Sequence, residues 1–157
     1  MDRRGFSLVE LMVVIGLISV LLAAGTFQFS QYSRKSGIES QTRKMYGDMM
    51  ELRAKAMFEK RSRVLRLSST SYSIYSSESM TGSPLTTTAL KVPIIWTTPS
   101  DTDIIFDTRG MTVDNKTICI SETNAAVVDS LVVSMTRIQL GKHRPDTDCD
   151  GDHVDAK

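Results

Sequence analysis

The chain has 157 residues, 41% of them apolar, with 19 basic and 18 acidic side chains and a formal net charge of +1. That length suits one small globular domain plus one further segment, and the near-even balance excludes a chain whose overall charge is built for a polyanion. It contains no clustered Ser/His/Asp set, no phosphate-binding glycine loop and no Cys-x-x-Cys pair, so the sequence points away from an enzyme.

The N-terminal stretch organises the rest. Arg3-Arg4-Gly5-Phe6-Ser7-Leu8-Val9-Glu10 opens an apolar run, and of the 20 residues from Phe6 to Gly25 only Glu10 is ionisable. A helix of that length spans roughly 30 Å, about one bilayer core. A carboxylate in such a run costs at least about 2.5 kcal/mol at the bilayer centre. No Lys or Arg lies between Phe6 and Gln31 to pair with it. The partner must be a lipid headgroup, another protein, or an amine that the chain acquires later. A plain single-pass anchor or a secretion signal is the competing reading. Ala23-Ala24-Gly25 mimics a signal-peptidase site, but Glu10 inside the run argues against it.

The helix is predicted to continue past Gly25 and Thr26, because no proline interrupts it. Ile38, Thr42, Met45, Met49, Leu52 and Ala56 recur at spacings of 4, 3, 4, 3 and 4, which is one helical stripe. Arg43, Lys44, Asp48, Glu51 and Lys55 lie off it. The stripe is expected to pack on a following sheet, with a short coiled-coil dimer as the alternative. Residues 6–60 then make one helix about 80 Å long, transmembrane over 6–25 and amphipathic over 26–60.

From Arg61 the pattern changes to period two, and a globular β domain is expected over 61–144. Arg63 to Leu67 and Tyr72 to Tyr75 read as strands joined by a Ser/Thr turn. Ser76 to Ala89 reads as a long surface loop. Val92 to Trp96 is a short strand between prolines. Asp103 to Phe106 is a strand followed by a turn at Asp107 to Gly110, and Thr117 to Ile120 is another. Leu131 to Ile138 reads as the last strand. Charge is uneven: residues 34–66 hold ten Lys/Arg against four Asp/Glu, whereas residues 141–157 hold five Asp against three Lys/Arg. Residues 145–157 are expected to be an acidic C-terminal tail.

The segment from Arg4 to Leu22 resembles the leader of type IV pilin-like proteins. In that family a prepilin peptidase cuts after the glycine, the new first residue is N-methylated, and the fifth new residue is Glu. Here those positions are Gly5, Phe6 and Glu10, with residues 1–5 as the leader peptide. The cut would create an α-amine of pKa about 8, the cation that the run lacks. The resemblance implies that Glu10 pairs with the Phe6 amine of a neighbouring subunit and so sets axial register. Many pilins carry Pro where this chain has Phe27, which implies a straighter helix here with Gly25 as its soft point. Ile104-Ile105-Phe106-Asp107-Thr108-Arg109-Gly110, the Ile118 to Ile120 strand and Ile138-Gln139-Leu140-Gly141-Lys142 are similar to the β domain of GspH/FimT-type minor pilins and pseudopilins. The fold implied is α+β: a long N-terminal helix, half transmembrane, packed on an antiparallel sheet.

The function implied is structural: a minor pilin or pseudopilin that assembles into, initiates or caps a type IV pilus or a type II secretion pseudopilus. Its partners would be other pilins, prepilin peptidase and the inner membrane, with the C-terminal domain periplasmic and later at the cell surface. Three constellations remain. Cys119 and Cys149 lie in the exported half, where a disulfide forms readily; two free thiols are the alternative. Asp146, Asp148, Asp150 and Asp152 have calcium-loop spacing, against a solvated acidic tail, and the bidentate position falls on Lys157. Gly141-Lys142-His143-Arg144 is similar to the Gly-Arg-x-Arg tail with which FimT-type pilins touch DNA. Lys142, His143 and Arg144 are thus candidate phosphate contacts, against a solvated basic loop, and the alternative function they imply is that of a DNA-binding minor pilin for natural transformation.

Overall fold

The structure is a computed structural model that describes residues 7–80 and 82–157, without the side chains of residues 24–27. Gly5 and Phe6 lie outside the described residues. The chain divides after Arg34 into an N-terminal unit and a larger one, Lys35–Lys157.

Helix α1 (Leu8–Glu59) begins in the first unit and ends in the second. Ser7 precedes it, and its carbonyl accepts the Leu11 N–H at 3.1 Å, as expected of a residue type that favours the N-cap position. Every described side chain from Leu8 to Leu22 is exposed. The polar Ser19 in this stretch returns its hydroxyl to the Ile15 carbonyl at 2.8 Å, so it adds no unsatisfied donor to an apolar surface.

In the second unit the stripe behaves as its spacing predicts. Ile38, Thr42, Met45, Met49, Leu52 and Ala56 are all at most 5% exposed and, Thr42 apart, join one core with Leu65, Tyr72, Ile104, Phe106, Ile118 and Leu131. Thr42 gives its hydroxyl to the Ile38 carbonyl at 3.0 Å. The helix stops without glycine. Lys60 takes a left-handed φ of 54°, and the Arg61 N–H bonds back to Ala56 at 3.3 Å, the six-to-one bond of a Schellman ending.

The strands pair antiparallel throughout but form two sheets. They are β1 (Arg63–Ser68), β2 (Ser71–Tyr75), β3 (Thr86–Ala89), β4 (Ile94–Trp96), β5 (Asp103–Phe106), β6 (Lys116–Ile120), β7 (Ser130–Ser134), β8 (Arg137–His143) and β9 (Val154–Ala156). The first sheet has the order β3-β2-β1-β5 and the second β4-β6-β7-β8-β9. Leu65 sits opposite Ile74 on one side and Ile104 on the other, which puts apolar side chains in line toward the helix. Arg66 opposite Asp103 makes a two-bond ion pair at 2.7 and 2.9 Å that holds the β1–β5 register. Lys116 is buried at the start of β6, and its ammonium is met by the carbonyls of Asp101 and Asp103 at 3.0 and 2.6 Å and by the Asp101 carboxylate at 3.0 Å.

Three segments differ from the sequence reading. Residues 76–89 are not all loop, since β3 forms at their end; Thr86 and Thr87 are exposed and Thr88 is half-buried on an edge, where no apolar alternation marks a strand. The stretch from Leu131 to Ile138 is two strands, β7 and β8, turning at Met135-Thr136. Neither turn residue has positive φ, so the usual Asn-Gly signal is absent; the Ser134 hydroxyl instead ties to the Arg137 carbonyl at 3.0 Å. Residues 145–157 are folded: a short 3-10 turn (Gly151–His153) leads into β9, which pairs with β8 through Gly141 opposite Ala156 and His143 opposite Val154.

Candidate functional site

Two regions concentrate the candidate residues. The first is the N-terminal part of α1. Leu8, Val9, Leu11, Met12, Val13, Ile15 and Leu17 are exposed, and Glu10 sits among them on the first turn. A helix that is apolar all round gains its stability from an apolar surrounding and not from its own chain. None of the membrane-length apolar window is buried within the fold. In such a surrounding Glu10 is the one ionisable group and the one that demands a partner, and no cation among the described residues meets it.

The second region lies where β7 and β8 meet their following loops. Lys142 is not a free cation. Its ammonium contacts the Asp129 carboxylate at 2.5 Å, the Asn124 carbonyl at 3.0 Å and the Asn124 side-chain oxygen at 3.2 Å. Asp129 also accepts from the Ser130 hydroxyl at 2.7 Å and the His143 N–H at 2.8 Å. Burial alone would push the Asp129 carboxyl up, but Lys142, the His143 N–H and the Ser130 hydroxyl outweigh it and hold the group below the ordinary range. Asp129 and Asn124 were not singled out in the sequence; the β7–β8 register, with Ser130 opposite Gly141, is what places Asp129 beside Lys142.

The other two basic candidates are also engaged. Arg144 bonds Asp155 at 2.7 Å, which lowers that carboxyl, and the pair is half exposed, so it adds little stability. The His143 ring nitrogen lies 3.2 Å from the Asp148 carbonyl. The segment is thus internally bonded and offers no open row of cations to phosphates.

Cys119 and Cys149 are joined, with their Cα atoms 6.0 Å apart. Cys119 is fully buried in β6, and the Thr97 hydroxyl donates to the Cys149 carbonyl at 2.9 Å. This fixes the acidic loop from its middle. Asp150 then caps the 3-10 turn, accepting from the Asp152 and His153 N–H groups. Asp146, Asp148, Asp150 and Asp152 are therefore not wrapped around a common centre. Among the described residues no group of three or more His, Cys, Asp or Glu side chains is placed to hold a metal ion, and the donor set does not fit calcium.

Residues 1–26 match the family model described as the prokaryotic N-terminal methylation motif. Two crystal structures of the type IV minor pilin FimU from Pseudomonas aeruginosa strain PAO1 are similar in fold. In one crystal form (P21) the TM-score is 0.57 at 16% identity, covering 71% of this chain and 92% of that one. In another (P65) it is 0.52 at 18% identity, covering 66% and 92%. At such identities the likeness is one of fold. No curated protein sequence matches the chain.

Proposed function

We propose that this chain, a type IV pilin-like protein by its prepilin methylation motif and its fold, is a structural subunit stored in the inner membrane and drawn into a filament. Prepilin peptidase would cut after Gly5, and the Phe6 amine would be methylated. The apolar rod would hold the subunit in the membrane with its globular part on the periplasmic side. In the filament, Glu10 of one subunit would pair with the Phe6 amine of another, since register errors would leave a carboxylate unpaired among apolar helices.

The observation that supports this most is an apolar rod, exposed at every described side chain from Leu8 to Leu22, that carries one carboxylate and no described cation. A minor position, at the start or tip of a type IV pilus or of a secretion pseudopilus, accords with the FimU-like fold. Two measurements test the reading. Mass spectrometry of the native protein is expected to find Phe6, carrying one added methyl group, as the first residue. Glu10→Ala is expected to stay in the membrane fraction yet vanish from sheared filaments. A native chain that still begins at Met1, or a Glu10→Ala subunit that enters filaments normally, would remove the proposal.

A further inference from the structure

The end of α1 presents a projection that its own fold does not use. Phe58 is 91% exposed, more than any other large apolar side chain among the described residues. Lys60 and Arg61 follow it, with Lys60 in the left-handed conformation that turns the chain away from the helix. Glu59 between them is taken by Arg63. The projecting end is therefore an aromatic ring with two cations and no free acid beside it.

The same unit contains a hollow of opposite character. A pocket of about 270 Å³ is lined by Ile95 and Pro145, by Glu122 and Asp146, and by the Asp129–Lys142 pair. Ile95 is 44% exposed there although it is a strand residue. Three carboxylates against one ammonium leave the lining negative. A cavity of about 150 Å³ admits a benzene molecule, so this one has room for a phenyl ring.

We propose that Phe58 of one copy enters this pocket on a second copy, with Lys60 and Arg61 facing Glu122 and Asp146. Two projecting ends repel each other, as do two acidic hollows, so the charges favour only the unlike pairing. Projection and hollow are different patches, which makes the contact heterologous. Such a contact repeats from copy to copy as an open row instead of closing as a dimer. Its biological setting rests on the filament reading above, but its geometry does not involve the apolar rod.

The test uses the full chain in detergent micelles, mixed from isotope-labelled and unlabelled batches. A carbodiimide joins ammonium groups to carboxylates in contact, and mass spectrometry reads which peptides are linked between labelled and unlabelled copies. Mixed peptides joining Lys60 to Glu122 or Asp146 are expected. Phe58→Ser should cut their yield by about tenfold or more, as for a buried aromatic anchor, without loss of fold, since the ring touches so little of its own chain. Asp146→Asn, which keeps a residue type suited to the left-handed φ of 60° at that position, should leave only the Glu122 link, at lower yield. The inference is overturned by an absence of mixed Lys60 peptides, by links from Lys60 to carboxylates elsewhere, or by a yield that Phe58→Ser does not change. Glu10→Ala separates the two readings. If it abolishes the Lys60 links that Phe58→Ser spares, the contact runs through the rod and this inference fails while the assembly reading stands. If the links survive Glu10→Ala and filaments also form normally, the reverse holds.

Discussion

Asp129 shows how much one side chain decides and how little of that is local. From sequence, Lys142 is a cation beside a glycine and a histidine, and its partner is 13 residues away. Only the strand register joins them, and that register depends on a turn with no recognisable turn residues. Asp129→Asn would leave the Lys142 charge facing a neutral group at a side chain only 3% exposed. A loss of about 3–5 kcal/mol in urea unfolding at neutral pH is expected. The carboxyl is held below its ordinary value in the folded chain. Its contribution is therefore present above the unfolded value of about 4 and is lost as the pH falls through the lower folded value. Unfolding free energy measured from pH 5 downward should fall less steeply in Asp129→Asn than in the native chain. Gly141 makes a similar point by absence. A methyl group there would stand 2.2 Å from a Val154 methyl and 3.0 Å from the Asp155 carbonyl oxygen. Gly141→Ala should cost about 1–3 kcal/mol, with faster amide exchange confined to β9 if strand displacement is the cause.

At the scale of elements, legibility followed periodicity. The 4-3-4-3-4 stripe of α1 identified the buried face residue by residue, because one helix face packs on one core. Met49→Ala, at a fully buried stripe position, is expected to cost about 2–5 kcal/mol by thermal or denaturant unfolding. The strands with alternating apolar residues, β1, β2, β5 and β6, were equally visible. β3 was not, since an edge strand of threonines has no apolar side chain buried in alternation. β9 was hidden for a different reason. Its three residues gain a place in the sheet from the staple at Cys149, across a separation of 30 residues, and from β8 beside them. Replacing both cysteines with serine should lower stability by about 3–4 kcal/mol on the chain-entropy model. A count of two free thiols in the denatured, unreduced native chain would contradict the bridge directly.

The whole molecule separates two tasks along one helix. Its first part keeps every described apolar side chain outward, and its second turns a single stripe inward. The sequence disclosed this division because the solvent requirement of each part differs: all-round apolarity for one, one face for the other. The strand order carries a further consequence, a kinetic one. The chain leaves the first sheet after β3, lays β4 into the second, and returns for β5 before completing the second with β6 to β9. The two layers are thus interlaced, and neither can zip shut from contiguous chain alone. Loop closure must precede reward in both, so refolding should be slow, on the order of milliseconds to seconds, and single-phased, with hairpin β1–β2 gaining no lasting protection until Phe106 has arrived beside it.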